Sequence, residues 1–214
     1  MNTSLELTIE EFKKLDVKES CRNSGAILKE NPSGQKIIVL SYLNQEFLIR
    51  LPDIEITSSV PEGSPKGIHS DIRTKDKVET SEKITLLHYL ISSKGTPLSG
   101  KLIDFREVPE GNFYYSTFTS LVHKPFLRTF GEKPELFLKA GESLNGSKAD
   151  LKDLSMKFLV LPRVAVTTVF YKGDEEFPPD CKFLFDSSIP DYLSTEAIVK
   201  VCEELVKELA VKIQ

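Results

Sequence analysis

The chain is poor in cysteine. Its 214 residues include only three cysteines, far apart and without Cys-x-x-Cys spacing: Cys21, Cys181 and Cys202. So sparse and odd a set gives no disulfide framework, and a tetrahedral cysteine–histidine metal site needs closer pairs. Free cysteine is commonly a small residue of the core. We therefore expect three structural thiols.

Long apolar runs and basic stretches are also missing. No run approaches the roughly 18–20 apolar residues that a membrane span needs. The N-terminal segment MNTSLELTIEEF has no basic region followed by an apolar stretch, so it does not have the form of a signal peptide. The net charge of -4 and the pI of about 5.6 argue against a nucleic-acid partner. The sequence predicts a cytoplasmic protein that binds neither membranes nor nucleic acids.

Several motifs of familiar enzyme classes are absent as well. Residues 95–100, GTPLSG, have glycines five apart but lack the Lys-Ser/Thr pair of a phosphate-binding P-loop. The sequence has no Gly-x-Ser-x-Gly elbow, no Ser-His-Asp arrangement and no His-Glu-x-x-His helix. Nucleotide binding through a P-loop and hydrolysis of those types are therefore not expected.

What remains is an ordinary globular composition, with 40% apolar and 28% charged residues. We predict one α+β domain over residues 1–214, with an antiparallel or mixed sheet, packed helices and a C-terminal amphipathic helix. The predicted elements are short helices over 1–24, strands at 26–29, 36–42, 46–51 and 53–56, a polar loop over 57–79, a helix over 81–94, a strand over 101–108, helical pieces over 113–145, two strand runs around an acidic turn within 158–186, and a last helix capped by Ser194.

Local signals place some helix ends and faces. Thr8 and Glu11 have the form of a capping box, and Asp16 is a suitable cap for the next short helix. Ser81 is a suitable N-cap for the helix over 81–94. The apolar stripe of that helix predicts that Tyr89 points away from the core.

The acidic turn between the last two strand runs is the first candidate site. Asp174, Glu175, Glu176 and Asp180 fall within seven residues, and Asp186 ends the following strand. Clustered carboxylates can bind a divalent cation, or raise one pKa enough to make a general acid. We assign Asp174, Glu175, Glu176 and Asp186 as candidate metal ligands. The alternative is a solvated hairpin turn, because the spacing does not match an EF-hand.

The second candidate combines the helix over 81–94 with the strand after it. Arg106 is suited to clamp a carboxylate or phosphate, and His88 to carry a proton or ligate a metal. The turn at 96–100 joins the helix to the strand, so we expect their adjoining ends to lie close together. The alternative is a hydrogen-bonded histidine on a half-buried helix and an arginine paired with a nearby acid.

An aromatic run provides the third candidate. Tyr114 and Tyr115 lie beside Phe113 and Phe118, and His123 follows on the predicted helical segment. Such a set would line a pocket for a flat ligand. Aromatic residues at helical spacing are also typical of a core, and that interpretation stays open.

Five motifs occur in a fixed order: LLHYLISSKGTPLSGKLIDFRE at 86–107, LPR at 161–163, GDEEFP at 173–178, LFD at 184–186 and YLSTE at 192–196. This series resembles a family of uncharacterised proteins, a domain of unknown function found mainly in anaerobic bacteria and archaea. Some relatives carry a separate cysteine-rich Fe–S domain, whereas this chain has no Fe–S ligand pattern. The resemblance implies a setting in anaerobic redox or corrinoid metabolism and carries no activity.

Three function classes follow. The leading expectation is a binding or accessory protein that engages a redox protein or a small ligand, such as a corrinoid or another tetrapyrrole. Its candidate ligand-binding residues are His88, Arg106, Tyr114, Tyr115 and His123. The alternatives are an enzyme that uses a divalent cation at the acidic turn with Arg106, and a protein-interaction module that docks through its last helix.

Overall fold

Residues 3–59, 78–152 and 154–213 are described by a computed structural model of the protein. The chain divides into two compact units, Met1–Thr96 and Pro97–Gln214. Each unit contains helices and one antiparallel sheet. The predicted α+β class and the predicted antiparallel pairing are therefore confirmed. In the described residues, no helix is both long enough and apolar enough to cross a membrane.

In its described residues, 3–59 and 78–96, the first unit is a four-stranded meander with three helices. Its elements are α1 (Ser4–Phe12), α2 (Val17–Ser24), β1 (Ile27–Glu30), β2 (Lys36–Tyr42), β3 (Gln45–Arg50), β4 (Glu55–Ser59) and α3 (Thr80–Ser92). The strands pair in sequence order, each antiparallel to the next. The predicted meander is confirmed.

Helix α3 is tied to the end of α2 by buried hydrogen bonds. The Tyr89 hydroxyl donates to the Ser24 carbonyl at 2.6 Å, and the Ser20 hydroxyl donates to the Leu90 carbonyl at 2.7 Å. Tyr89 is completely buried, so the prediction that it points outward is wrong. Since α3 packs against both α1 and α2, it buries more than the single stripe that its own periodicity indicates.

Three boundary predictions in the first unit need correction. The capping box of α1 is formed by Thr3 and Glu6, because Thr8 lies inside the helix, where its hydroxyl donates to Ser4. Glu79 rather than Ser81 is the N-cap of α3. The polar loop predicted over 57–79 begins too early, since β4 extends to residue 59, and residues 60–77 lie outside the described residues.

The second unit combines a five-stranded antiparallel sheet with helices. Its elements are β5 (Leu102–Asp104), a 3₁₀ turn (Phe105–Glu107), α4 (Gly111–Phe118), a π turn (Thr119–His123), α5 (Lys124–Phe130), α6 (Pro134–Ser143), β6 (Ser147–Lys148), β7 (Leu154–Leu161), β8 (Val164–Tyr171), β9 (Asp180–Asp186), a 3₁₀ turn (Ile189–Asp191) and α7 (Thr195–Val211). The strand order is β5-β9-β8-β7-β6. The C-terminal helix is confirmed, with Ser194 as its cap.

Phenylalanine rings fill the space between this sheet and its helices. Phe126 of α5 makes edge-to-face contacts with Phe170 of β8 and Phe183 of β9, and Phe137 of α6 does so with Phe170. All four rings are buried to within 1% of full coverage.

The three cysteines are also buried and free, as predicted.

Two strand predictions in the second unit are only partly right. The strand predicted over 101–108 ends at Asp104, because the Asp104 carboxylate accepts from the backbone N–H of Arg106 and starts a 3₁₀ turn. The first apolar run of 158–186 belongs to two strands, β7 and β8, which reverse at Pro162 and Arg163.

Candidate functional site

His123 lies at the centre of the best-defined polar and aromatic cluster in the second unit. Its imidazole stacks on Phe183 of β9, with ring centroids 5.6 Å apart and planes inclined by 17°. Phe118 and Tyr115 of α4 meet the imidazole edge-on at 5.1 Å and 6.0 Å. Three aromatic rings therefore surround a histidine that is still half-buried rather than fully enclosed.

Burial lowers the pKa of His123 below its ordinary value of 6.5, although the carboxylates of Asp180 and Asp104 oppose that shift and Arg106 reinforces it. The imidazole is therefore neutral at about pH 7. Within the part of the chain that the structure describes, neither ring nitrogen makes a hydrogen bond or an ion pair. A neutral imidazole of this kind can accept a proton or donate a lone pair to a metal.

Arg106 lies over the ring of Tyr115, with its guanidinium carbon 3.7 Å from the ring centroid. The side chain is exposed, and no carboxylate of the described residues is within ion-pair distance of it. Stacking uses the face of a guanidinium and leaves the N–H groups at its edge free to donate in the guanidinium plane. Arg106 can therefore still bind an anion while Tyr115 holds it in place.

The short connection between the 3₁₀ turn and α4 brings Arg106 and Tyr115 together. Glu110 adopts a left-handed conformation, with φ of 58°, immediately before α4 begins. Gly111 follows, and a Cβ at that position would lie only 2.0 Å from the carbonyl oxygen of Phe105. This close backbone approach requires glycine. It turns α4 back over the 3₁₀ turn so that the two side chains meet.

A π turn sets the direction of His123. The helix that begins at Gly111 passes through Thr119–His123 with a wider turn, in which the Lys124 N–H bonds to the Thr119 carbonyl. Such single π turns inside helices occur frequently at functional sites. We recognise no sequence signal for this wide turn, although the predicted helical continuity from Tyr115 to His123 is correct.

Tyr114 is next to Tyr115 in the chain but contacts a different helix. Its hydroxyl donates to the carboxylate of Glu196 in the first turn of α7. That hydrogen bond, assisted by partial desolvation and by the charges of Glu196 and Glu110, raises the pKa of Tyr114. Tyr114 therefore joins α4 to α7 and is not part of the His123 cluster.

His88 belongs to the first unit, whereas the rest of the predicted ligand-binding set belongs to the second. The His88 Nε2 atom lies 3.3 Å from the Thr8 hydroxyl oxygen, which links α3 to α1. This geometry agrees with the alternative of a hydrogen-bonded histidine on a half-buried helix. The predicted grouping of His88 with Arg106 stays a prediction.

The acidic turn is organised by Asp174. Its Oδ1 atom accepts from the backbone N–H groups of Phe177 and Glu176 at 2.8 Å and 2.9 Å. These two hydrogen bonds lower the pKa of Asp174. Glu175 and Glu176 are exposed. The observed geometry is that of a tight, solvated turn, which was the alternative interpretation.

Asp186 closes a different turn, at the other end of β9. Its two carboxylate oxygens accept hydrogen bonds from the backbone N–H and hydroxyl of Ser99, the N–H of Gly100, and the N–H and hydroxyl of Ser188. Partial desolvation opposes the shift, but these bonds hold the pKa of Asp186 well below its ordinary value. Both oxygens are therefore engaged in joining two chain segments.

Asp186 lies far from the other three predicted metal ligands. Asp180 and Asp186 end the same seven-residue strand, so Asp186 lies roughly 20 Å from the strand end that adjoins the acidic turn. Over residues 3–59, 78–152 and 154–213, no group of three or more His, Cys, Asp or Glu side chains is placed to hold a metal ion. Binding of a cation by the exposed acids of the turn alone stays a prediction.

Phe183, the floor of the cluster, was missed from the sequence. Its signal is the alternation of β9, in which Cys181, Phe183 and Phe185 are buried. Alternation shows that these residues share one face of a strand, but not which helix covers them.

A protein-family model matches most of the chain. Residues 16–208 match the model of a domain of unknown function, DUF3786. The chain belongs to this family. The matched residues extend over both units of the DUF3786 chain. The single domain predicted from the sequence also spans both units. No curated protein and no solved structure was found to match it. The anaerobic lineage and the Fe–S relatives that the resemblance implies stay predictions.

Proposed function

We propose that this DUF3786 protein is a cytoplasmic ligand-binding protein, and that Arg106, Tyr115 and His123 contact its ligand. The observation that carries the proposal is the neutral, half-buried imidazole of His123 on its aromatic surface, close to a stacked arginine. Three buried, free thiols fit a reducing compartment.

The cluster offers three kinds of contact to one ligand. The lone pair of the imidazole is suited to an electrophilic centre such as a metal ion. The edge of the Arg106 guanidinium is suited to a carboxylate or phosphate. The half-buried ring of Tyr115 offers apolar surface to a flat molecule, whereas Phe118 is buried beneath the cluster. A tetrapyrrole combines all three features, because it is flat, bears acidic or amide side chains and holds a metal with open axial positions.

We therefore propose a corrinoid or another metal tetrapyrrole as the ligand; His123 would hold its metal and Arg106 would contact a peripheral anionic group. The anaerobic setting implied by the family resemblance agrees with a corrinoid. A redox protein partner would fit the same proposal if it delivered or received that ligand.

The test is an absorbance titration of the purified protein with aquacobinamide and, separately, with haemin. We expect a saturable spectral change from imidazole coordination in the native chain. His123→Ala should weaken binding by at least about tenfold, equivalent to about 1.4 kcal/mol. Arg106→Gln should weaken binding without altering the spectrum of the bound form, because it does not touch the metal.

Two matched variants control the titration. His88→Ala removes a half-buried histidine of the first unit, and Arg128→Gln removes an exposed arginine of α5. Both should bind like the native chain. A native spectrum that does not change with either probe would refute the tetrapyrrole proposal. So would binding that survives His123→Ala but is lost in His88→Ala.

A further inference from the structure

The first unit contains a cleft that the proposed function does not use. The cleft has a volume of about 780 Å³, within the range of about 300–1,000 Å³ that small-molecule sites occupy. It lies between the end of α1, the start of α2, the β1–β2 turn and the segment after β3. Its apolar lining consists of Phe12, Val17, Leu51, Pro52 and Ile54.

The apolar floor of the cleft is well packed. Phe12 is 1% exposed and Ile54 is 6% exposed, so both are held by the core beneath. Val17 and Leu51 are half-buried and complete the apolar wall, and Pro52 lies exposed at the rim. A ligand that fills this space must therefore present apolar surface to the floor.

The rim carries positive charge. Lys13 and Lys36 both line the cleft. The Lys13 ammonium is paired with Glu10 at 3.0 Å. Lys36 has no ion pair in the part of the chain that the structure describes, and its side chain is exposed. Glu30 lies directly opposite Lys36 in the β1–β2 pairing but forms no ion pair with it, so the charged side chains that line the cleft are the two lysines, which favours an anionic ligand.

The backbone of the β1–β2 turn does not supply the anion contact. The N–H groups of Ser33 and Gln35 both donate to the Asn31 side chain, at 3.1 Å and 2.9 Å. The Gly34 N–H donates to the Asn31 carbonyl at 2.9 Å. Since these donors are already used, the negative charge of a ligand must be met by lysine side chains. Lys36 is the residue best placed to do so.

We infer that this cleft binds an organic monoanion with an apolar body, such as a medium-chain or aromatic carboxylate. The apolar body lies against the half-buried Val17 and Leu51 and the exposed Pro52, above the buried Phe12 and Ile54, and the carboxylate lies at the rim beside Lys36. The inference concerns the first unit alone and does not rest on the proposed function at His123, so either can fail without the other.

The test uses isothermal titration calorimetry of the full chain with sodium octanoate and with octan-1-ol, which has the same chain without the charge. We expect octanoate to bind a single site and octan-1-ol to bind at least about fivefold more weakly. Lys36→Gln should weaken octanoate binding by about five- to tenfold, because the uncompensated ammonium is lost. Amide resonances of residues 33–36, 51, 53 and 54 should shift on octanoate binding.

Two further variants complete the design. Lys18→Gln makes the same change of charge on an exposed lysine of α2 that does not line the cleft, and it should bind octanoate as the native chain does. Val17→Phe should weaken binding by narrowing the cleft at the start of α2, with its folding checked by thermal unfolding. Absence of a saturable heat in the native chain would overturn the inference. Equal weakening by Lys36→Gln and Lys18→Gln would also overturn it, since that would indicate a diffuse charge effect.

Discussion

Phe105 and Phe118 stack face to face, with ring centroids 3.9 Å apart and planes inclined by 8°. Phe105 directly precedes Arg106, and Phe118 lies one helical turn after Tyr115. The buried stack therefore fixes the backbone on which the exposed pair of Arg106 and Tyr115 depends. Phe118 also meets His123 and Phe183 edge-on, so one buried ring contacts both the imidazole and the ring on which the imidazole stacks.

Gly111→Ala should disturb this arrangement. The added methyl group would lie 2.0 Å from the Phe105 carbonyl oxygen and 3.0 Å from Val108, so the backbone of the 3₁₀ turn must move. We expect a loss of about 1–3 kcal/mol in the free energy of unfolding, as for other overpacked sites. Urea unfolding followed by circular dichroism measures that loss.

Asn112→Ala is the matched control, because residue 112 is exposed and its side chain makes no hydrogen bond within the described ranges. It should change the unfolding free energy by less than about 0.5 kcal/mol. If Gly111→Ala proved as stable as Asn112→Ala, the close approach of α4 to the 3₁₀ turn would be wrong.

His123 should make stability depend on pH in the mildly acidic range. Its pKa is lower in the folded chain than the ordinary value of 6.5, so the unfolded chain binds more protons as the pH falls below about 6.5. The contribution is fully present above that pH and is lost as the pH falls towards the folded pKa. The slope is at most about 1.4 kcal/mol per pH unit for one proton.

His123→Phe keeps a ring on Phe183 but removes the titration. The difference in unfolding free energy between the native chain and His123→Phe should therefore change between about pH 7 and pH 5, in favour of the variant at the lower pH. Urea unfolding at several pH values measures this difference. A difference that does not vary with pH would show that His123 is not desolvated in the folded chain.

Asp186→Asn should weaken the contact between the segment at Ser99 and Gly100 and the end of β9. An amide retains one acceptor oxygen but places N–H groups against the donors that Asp186 now accepts from. We expect a loss of about 1–3 kcal/mol at neutral pH, as when hydrogen bonds to a charged group are broken.

The pH dependence of the unfolding free energy distinguishes the hydrogen bonds of Asp186 from a general effect of its charge. Because the folded pKa of Asp186 is depressed, its stabilisation is present above the unfolded pKa of about 4 and is lost as the pH falls below it. The difference between native chain and Asp186→Asn should shrink in that acidic range. Asp150→Asn, at an exposed carboxylate, should show neither the loss nor the trend.

Tyr89→Phe tests the link between α3 and α2. The variant removes the donor to the buried Ser24 carbonyl and leaves that carbonyl without this partner. We expect a loss of about 1–3 kcal/mol in the free energy of unfolding. Tyr171→Phe removes a hydroxyl from a half-buried tyrosine of the second unit and should cost less than about 0.5 kcal/mol. Equal effects would mean that the Tyr89 hydrogen bond contributes little.

Features that depend on neighbouring residues were predicted in part, since the caps assigned to Thr8 and Ser81 belong to Thr3 and Glu79 instead. Asp16 and Ser194 cap the helices that follow them, because a side-chain oxygen needs only the backbone two or three residues away. The meander of the first unit also follows from short turns between β-rich runs.

Features that depend on distant segments were not predicted. Asp186 was assigned to a metal, but its donors at Ser99 and Gly100 are 87 and 86 residues away in the chain. Tyr89 was predicted to point outward because the periodicity of its helix reveals only one apolar stripe. Periodicity does not reveal that the Tyr89 hydroxyl donates a hydrogen bond to a buried carbonyl. Arg106 was expected to bind an acid or a ligand, and its stacking on Tyr115 required the turn at Glu110.

The hydrogen bonds from Ser99 and Gly100 to Asp186 also help to fix the register of β9. Successive strand residues face opposite sides, so a slip of one residue would exchange Phe183 for Lys182 or Leu184 beneath the imidazole of His123. Cys181 and Phe185 would leave the core at the same time. The three hydrogen bonds from Ser99 and Gly100 to this terminal carboxylate favour one alignment of β9 against that turn. A substitution that removes the hydrogen bonds of Ser99 or Gly100 to Asp186 therefore weakens the register that places Phe183 under His123. It does so although the turn itself does not touch the Phe183 ring.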